Sequence, residues 1–140
     1  MLTQEQLPMV AMASMNDTHL EELLLINRIL EAVEARDAEA ADALFEALTE
    51  HTLEHFSGEE AMMREKRFPP YLMHKSEHDR ALNEMRMALT LWRQHRDFDR
   101  LRYYIETTLV DWVVNHIQTM DTVTANFLAH GVSPCGGGAC

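Results

Sequence analysis

Helix breakers are almost absent from the first 130 residues of this chain, and no other feature constrains its fold as tightly. Apart from Gly58, every glycine lies between Gly131 and Cys140, and before Pro134 the prolines are Pro8 and the pair Pro69-Pro70. Between these breaks, apolar residues recur at spacings of three and four, with no alternating strand pattern. The pattern predicts four helices, over about 15–36, 38–66, 69 or 70 to 96, and 98–130. Ser14 and Asp17 read as a capping box for the first, Asp37 as the N-cap of the second, and Gly131 as the stop of the fourth. Proline is tolerated in a first helical turn, so Pro69-Pro70 opens the third. Connections this short make sequential helices antiparallel neighbours. The expected fold is therefore an all-α, up-down-up-down antiparallel four-helix bundle over 1–130, with an N-terminal arm. A flexible Gly/Cys tail follows over 131–140.

A chain of 140 residues fits one domain with a full core. Its 23 acids against 12 Lys and Arg leave a formal charge of -11, which argues against a nucleic-acid or anionic-lipid surface. No apolar run of membrane-spanning length and no secretory leader are visible. Cys135 and Cys140 lie in the last six residues, so no disulfide framework holds the fold. These features predict a cytoplasmic protein, and acidity without a self-complementary patch favours a monomer. Composition leaves one question, which is why an acidic chain carries eight histidines.

Tracing each helix at helical spacing gives the answer. The stripes read His19, Leu23, Ile26, Leu30, Val33; then Leu44, Leu48, Thr52, His55, Glu59, Met62; then His74, His78, Leu82, Met85, Leu89, Trp92; then Ile105, Leu109, Trp112, His116, Met120, Val123, Phe127. A lone histidine on such a face is usually a hydrogen-bonded core residue. Five on four helices, with a carboxylate one turn from one of them, would be costly to bury without partners. A metal removes that cost by accepting their lone pairs. His55/Glu59 and His74/His78 are i, i+4 pairs that point from one helix face, and antiparallel packing puts all five histidines in the same part of the bundle.

Histidine and carboxylate ligands suit Fe, Mn or Zn. The Glu-x-x-His motif of ferritin-like di-iron bundles is missing. His74-Lys75-Ser76-Glu77-His78 matches the H-x-x-E-H signature of inverted zinc peptidases, with Glu77 as a general base, and a zinc hydrolase stays open on that ground.

Three longer strings carry a more specific resemblance. They are Asn16-Asp17-Thr18-His19; His55-Phe56-Ser57-Gly58-Glu59 followed by Phe68-Pro69, His74 and His78; and Trp112-Val113-Val114-Asn115-His116-Ile117 followed by Asp121. Over about 15–128 the chain resembles the hemerythrin family, in its H-x3-E, H-x3-H and H-x4-D spacings and in their order. The resemblance implies two Fe ions in an oxo- or hydroxo-bridged di-iron centre. His19, His55, His74, His78 and His116 would be terminal ligands, with Glu59 and Asp121 bridging. Periodicity does not place Asp121 beside His116, so its role rests on the resemblance. This ligand set leaves one coordination position open, as binding of O₂ requires. Three positions depart from the family: the Trp common in the N-terminal arm is missing around Met9 to Met12, and Ala81 and Thr124 replace aromatics. These departures alter pocket shape and leave the ligands intact.

The implied function is reversible O₂ binding for carriage, storage or delivery to an oxidase. The stripes hold no general acid or base beyond the ligands, which favours binding over enzymatic turnover. The alternative is a sensor or small enzyme for O₂, NO or peroxide on the same centre. His51, His95 and His130 match no ligand position and read as solvated or capping, although His51, one turn before His55, is also placed to bond a ligand. Glu60 reads as a surface or supporting acid. Phe56, Trp112, Ile117 and Met120 are candidates for the pocket wall. Gly58 reads either as a close backbone approach near the metal or as neutral.

Overall fold

The computed structural model describes residues 2–131 and contains no strand among them. Four helices form: α1 (Ala13–Glu34), α2 (Ala38–Glu65), α3 (Tyr71–His95) and α4, which runs without interruption over 98–130. α1 packs on α2, α2 on α3, and α4 closes the ring against both α3 and α1. Among the described residues no helix is long and apolar enough to cross a membrane. The expected tail lies, apart from Gly131, outside the described residues.

The caps follow local chemistry. Asp37 accepts from the Ala40 amide at 3.1 Å, as expected of an N-cap, and Asp97 serves α4 in the same way. The capping box expected at Ser14 and Asp17 does not form. α1 begins at Ala13 behind Met12, which makes no side-chain cap, and the Ser14 carbonyl accepts from the Thr18 hydroxyl instead. Asn16 is occupied elsewhere, because its amide exchanges two 2.9 Å hydrogen bonds with the backbone of Val10. Those bonds pin the arm along the bundle, where Leu2 and Leu7 are buried and Asn27 donates to the Leu2 carbonyl. The first three helices each run into an arginine in the left-handed region, Arg36, Arg67 and Arg96, while α4 stops at Gly131 with φ +67.

The bundle has two recognisable ends. At one, the α1–α2 and α3–α4 corners meet, with the Arg36 guanidinium 5.4 Å from the centre of the Phe98 ring. At the other, Phe68 of the α2–α3 corner packs on Phe127 near the end of α4. His19, Glu59 and His74 all lie within two turns of this second end.

α4 departs from the expected stripe, and the departure shapes the site. Its buried residues include Leu101, Ile105, Leu109, Val113, Ile117, Asp121 and Ala125, a spacing of four throughout. In a pure α-helix such a row drifts by roughly 40° per step. Here two π-helical turns, Tyr104–Leu109 and Ile117–Asp121, widen the helix and cancel the drift. Met120 and Phe127 are accordingly only half-buried and Val123 is exposed, contrary to the expected row. On α2 the expected row holds at Leu48, Thr52 and Glu59, but at its two ends the buried residue is the next one along, Phe45 and Met63 beside half-buried Leu44 and Met62.

Candidate metal centre

The seven residues singled out in the sequence converge in the interior. His19, Glu59, His74, His78, His116 and Asp121 are all at most 4% exposed, and the side chain of His55 is nearly as dry. Their ligand atoms fall into two groups, His74/His78/His116/Asp121 and His19/His55/Glu59, each with all of its atoms within 4.8 Å of one another.

The two carboxylates lie between the groups. Glu59 directs Oε2 at His55 Nε2, while its Oε1 is 3.5 Å from His74 Nε2 and 3.7 Å from His78 Nε2. Asp121 does the same from the other side: Oδ2 is 3.1 Å from His19 Nε2, and Oδ1 is 3.2 Å from both His74 Nε2 and His116 Nε2. Each carboxylate thus offers one oxygen to each group. The π turn Ile117–Asp121 makes this possible, because i→i+5 geometry brings Asp121 onto the face of His116. The Thr122 hydroxyl takes up the Ile117 carbonyl five residues back, at 2.6 Å.

The outward ring nitrogens are held by other residues. His55 Nδ1 is 2.7 Å from Glu22 Oε1, His78 Nδ1 is 2.9 Å from Glu60 Oε2, and His74 Nδ1 is 2.8 Å from the Thr124 hydroxyl. Rings are also fixed by stacking: Phe56 lies flat on His78 at 3.9 Å and Trp112 on His116 at 4.4 Å. Glu60 is therefore a supporting acid. His51 reaches the exposed Glu21 at 2.9 Å and only approaches Glu22, at 3.9 Å, so it bonds no ligand directly.

Charge in this dry cluster is set by neighbours. Burial, with His74 and His116 alongside, pushes His78 down to about 2, which keeps it a neutral donor. Burial would raise Asp121, but the imidazoles of His116, His19 and His74, each about 3.1–3.2 Å from one of its oxygens, hold it well below the usual carboxylate range. Glu59 moves the other way, raised by burial and by Asp121. Burial opposes the charge on His55, yet Glu22 and Glu59 lift it well above an ordinary histidine. Burial also raises Glu22, and the imidazoles of His55, His19 and His51 together bring it below its usual value.

Comparison with known proteins agrees with this geometry. The family described as "Hemerythrin HHE cation binding domain" matches residues 10–128. The chain belongs to the hemerythrin family. It is 31% identical to the bacteriohemerythrin of Aquifex aeolicus (strain VF5), over 81% of this chain and 87% of that one. It is also 31% identical to the bacteriohemerythrin of Ralstonia nicotianae (strain ATCC BAA-1114 / GMI1000), over 84% and 81%. With the myohemerythrin of Sipunculus nudus it shares 36% identity, over 62% of this chain and 64% of that one.

Hemerythrin domains bind a pair of non-haem irons and, typically, O₂. The residues present fit such a pair. Within the cluster His19 Nε2, His78 Nε2, Glu59 Oε1 and Asp121 Oδ1 are buried without a hydrogen-bond partner among the described residues. His74 Nε2 and His116 Nε2 face each other at 3.1 Å. Two lone pairs cannot meet at that distance without a proton or a cation between them. Nitrogen and carboxylate donors without sulfur suit iron. The zinc-peptidase alternative loses its base, since Glu77 is bonded to Arg80 at the surface, at 2.8 Å and 2.9 Å.

A cavity of about 20 Å³ borders both groups. His19, His55, His116 and Asp121 reach it, and Ile26, Leu48, Phe56, Met85, Leu109 and Trp112 supply apolar walls. Of the four expected pocket residues, Phe56, Trp112 and Ile117 line it and Met120 does not. Ala81 contributes to the wall, whereas Thr124 acts on His74 and lies outside it. A methyl group placed on Gly58 would meet nothing within 4 Å, so no close approach explains this glycine. Two supporting residues escape a sequence reading. Glu22 sits three residues after His19 on the buried face, the one signal that could have exposed it, and Thr124 follows Asp121 by three.

Proposed function

We propose that this chain binds O₂ reversibly at a pair of irons. His74, His78 and His116 would hold one and His19 and His55 the other, with Glu59 and Asp121 offering an oxygen to each group. The observation that carries this reading is the cavity of about 20 Å³ that touches both donor groups and is walled by aliphatic and aromatic side chains. That volume admits a ligand no larger than a water or a diatomic molecule. When bound, the iron pair supplies the electrons that a reversible attachment of O₂ needs.

The chain's own contribution is positioning and exclusion. Stacked Phe56 and Trp112 hold two imidazoles, and the carboxylates of Glu22 and Glu60 hold the outer faces of two rings. The apolar wall keeps water and protons from a bound ligand. The one hydroxyl on that wall, Thr52, donates to the Leu48 carbonyl at 2.8 Å and so is not free to protonate anything. Turnover needs a proton donor at the ligand. Beyond the proposed ligands, the acid that lines the cavity among the described residues is Glu22; its Oε1 is taken up by His55 Nδ1 at 2.7 Å, and against the effect of burial the neighbouring imidazoles hold it below its usual value, so it is ionised and has no proton to give. Binding is favoured over catalysis for that reason. In cellular terms, the proposal is a cytoplasmic monomer that carries or stores O₂ or delivers it to an oxidase, its charge of -11 opposing self-association.

Alternating O₂ and argon over the reduced, iron-loaded chain tests this reading. The visible spectrum is expected to cycle between two states without loss of amplitude. Rapid one-way oxidation would instead assign the site to a redox sensor or a small enzyme for peroxide or NO.

A further inference from the structure

Glu22, which holds the outer face of the His55 ring, is the buried carboxylate of the cluster that lies outside the proposed ligands. It is 5% exposed, yet no Lys or Arg reaches it among the described residues; the cationic partners available to it are imidazoles. Its Oε1 is 2.7 Å from His55 Nδ1 and 3.9 Å from His51 Nδ1, and His51 in turn contacts exposed Glu21. Glu22 also follows His19 by three residues on the same helix. One side chain therefore couples both histidines of the His19/His55/Glu59 group, one through the backbone of α1 and one through space to α2.

Among the described residues the other group has no equivalent. His78 has Glu60, but Glu60 is partly exposed and its second oxygen lies 3.8 Å from the Lys75 ammonium. His74 has only the Thr124 hydroxyl. We infer that Glu22 is the positioning residue of the His19/His55/Glu59 half of the metal centre. It fixes His55 with Nε2 turned inward to the other donors, and it would make the two iron sites unequal by placing a buried negative charge that no Lys or Arg reaches behind one of them. A carboxylate that only accepts hydrogen bonds forces the proton onto His55 Nδ1 and leaves the lone pair on Nε2. Negative charge transmitted through the ring favours the oxidised metal.

This inference rests on the iron-pair reading. Its test compares the full chain with Glu22→Gln, which keeps an acceptor oxygen and drops the charge, and Glu22→Leu, which drops both. Glu60→Gln serves as the comparator. The readouts are the rate of iron loss to a ferrous chelator and the reduction potential. Glu22→Leu is expected to lose iron about 10- to 100-fold faster than wild type. Glu22→Gln is expected to fold and load, with a potential shifted positive by more than the Glu60→Gln shift. An unchanged potential in Glu22→Gln, or wild-type iron retention in Glu22→Leu, overturns the inference. A wild-type chain that holds no iron pair overturns the underlying reading as well, so the two failures are distinguishable.

Discussion

The two halves of this bundle solve opposite packing problems. The half at the α1–α2 and α3–α4 corners is filled by Ile29, Phe45, Leu89, Trp92, Leu101 and Ile105, with Phe45 stacked on Tyr104 and Trp92 against Phe98. Each such side chain gains roughly 1.5–3 kcal/mol on burial. The other half buries five imidazoles and the carboxylates of Glu22, Glu59 and Asp121, several with no partner for a polar atom. Each orphaned atom costs about 1–3 kcal/mol. One half thus stabilises the fold, and the other spends that stability to hold donors in place for a metal. Function sits in the half that the hydrophobic effect alone would not build.

If the halves are separable, damage to the apolar one leaves the metal untouched. Phe45→Ala is expected to lower unfolding stability by about 3–5 kcal/mol while iron per folded chain stays at the wild-type level. Loss of iron from the folded protein would show that the halves are not separable. In the metal half, Thr124→Val leaves His74 Nδ1 without its hydroxyl and is expected to cost about 1–3 kcal/mol. Denaturation of the iron-loaded protein measures it, and no change would mean that His74 is held by its other contacts.

Gly58→Ala probes the boundary of the metal half. Gly58 lies inside α2, one residue before Glu59, yet an added methyl meets nothing. Its replacement is expected to raise the thermal midpoint by the equivalent of about 0.5–1 kcal/mol, with the spectrum unchanged. A shifted spectrum would mean that this backbone matters to the metal.

The smallest effect is electrostatic and belongs to the apolar half. A hydrogen bond from Arg93, outweighing burial and helped by Arg96, holds the Asp42 carboxyl below its ordinary value. Its folded value is depressed, so the contribution is complete above the unfolded carboxylate range near about 3.9 and is lost as pH falls through the folded value. Asp42→Asn is therefore expected to cost about 0.2–1 kcal/mol at neutral pH and nothing in strong acid. Paired denaturation curves at the two pH values check this, and an equal cost at both would assign the effect to packing.

Much of this was legible in the residues themselves. The breakers at Pro69-Pro70 and Gly131 and the apolar period gave four helices in order, and histidine on every stripe gave a buried metal centre. Asp121 was not legible from periodicity, because a single 3.6-residue period assumes a uniform helix. The π turn that carries Asp121 round to His116 has no signature of its own in the sequence, and the family resemblance supplied the residue instead. The same assumption misplaced Met120, Val123 and Phe127. Glu22 escaped for a different reason. An acid beside an apolar stripe reads as its solvated edge, and only the approach of α1 to α2 shows that it faces His55.

Anaerobic titration of the metal-free, full chain with Fe(II) decides whether the two donor groups form one site for a pair of irons. Saturation is predicted at two irons per chain for wild type, and Glu59→Ala, lacking one carboxylate between the groups, is predicted to fall short of two. A wild-type endpoint of one or none, or an undiminished endpoint of two in Glu59→Ala, would contradict the account.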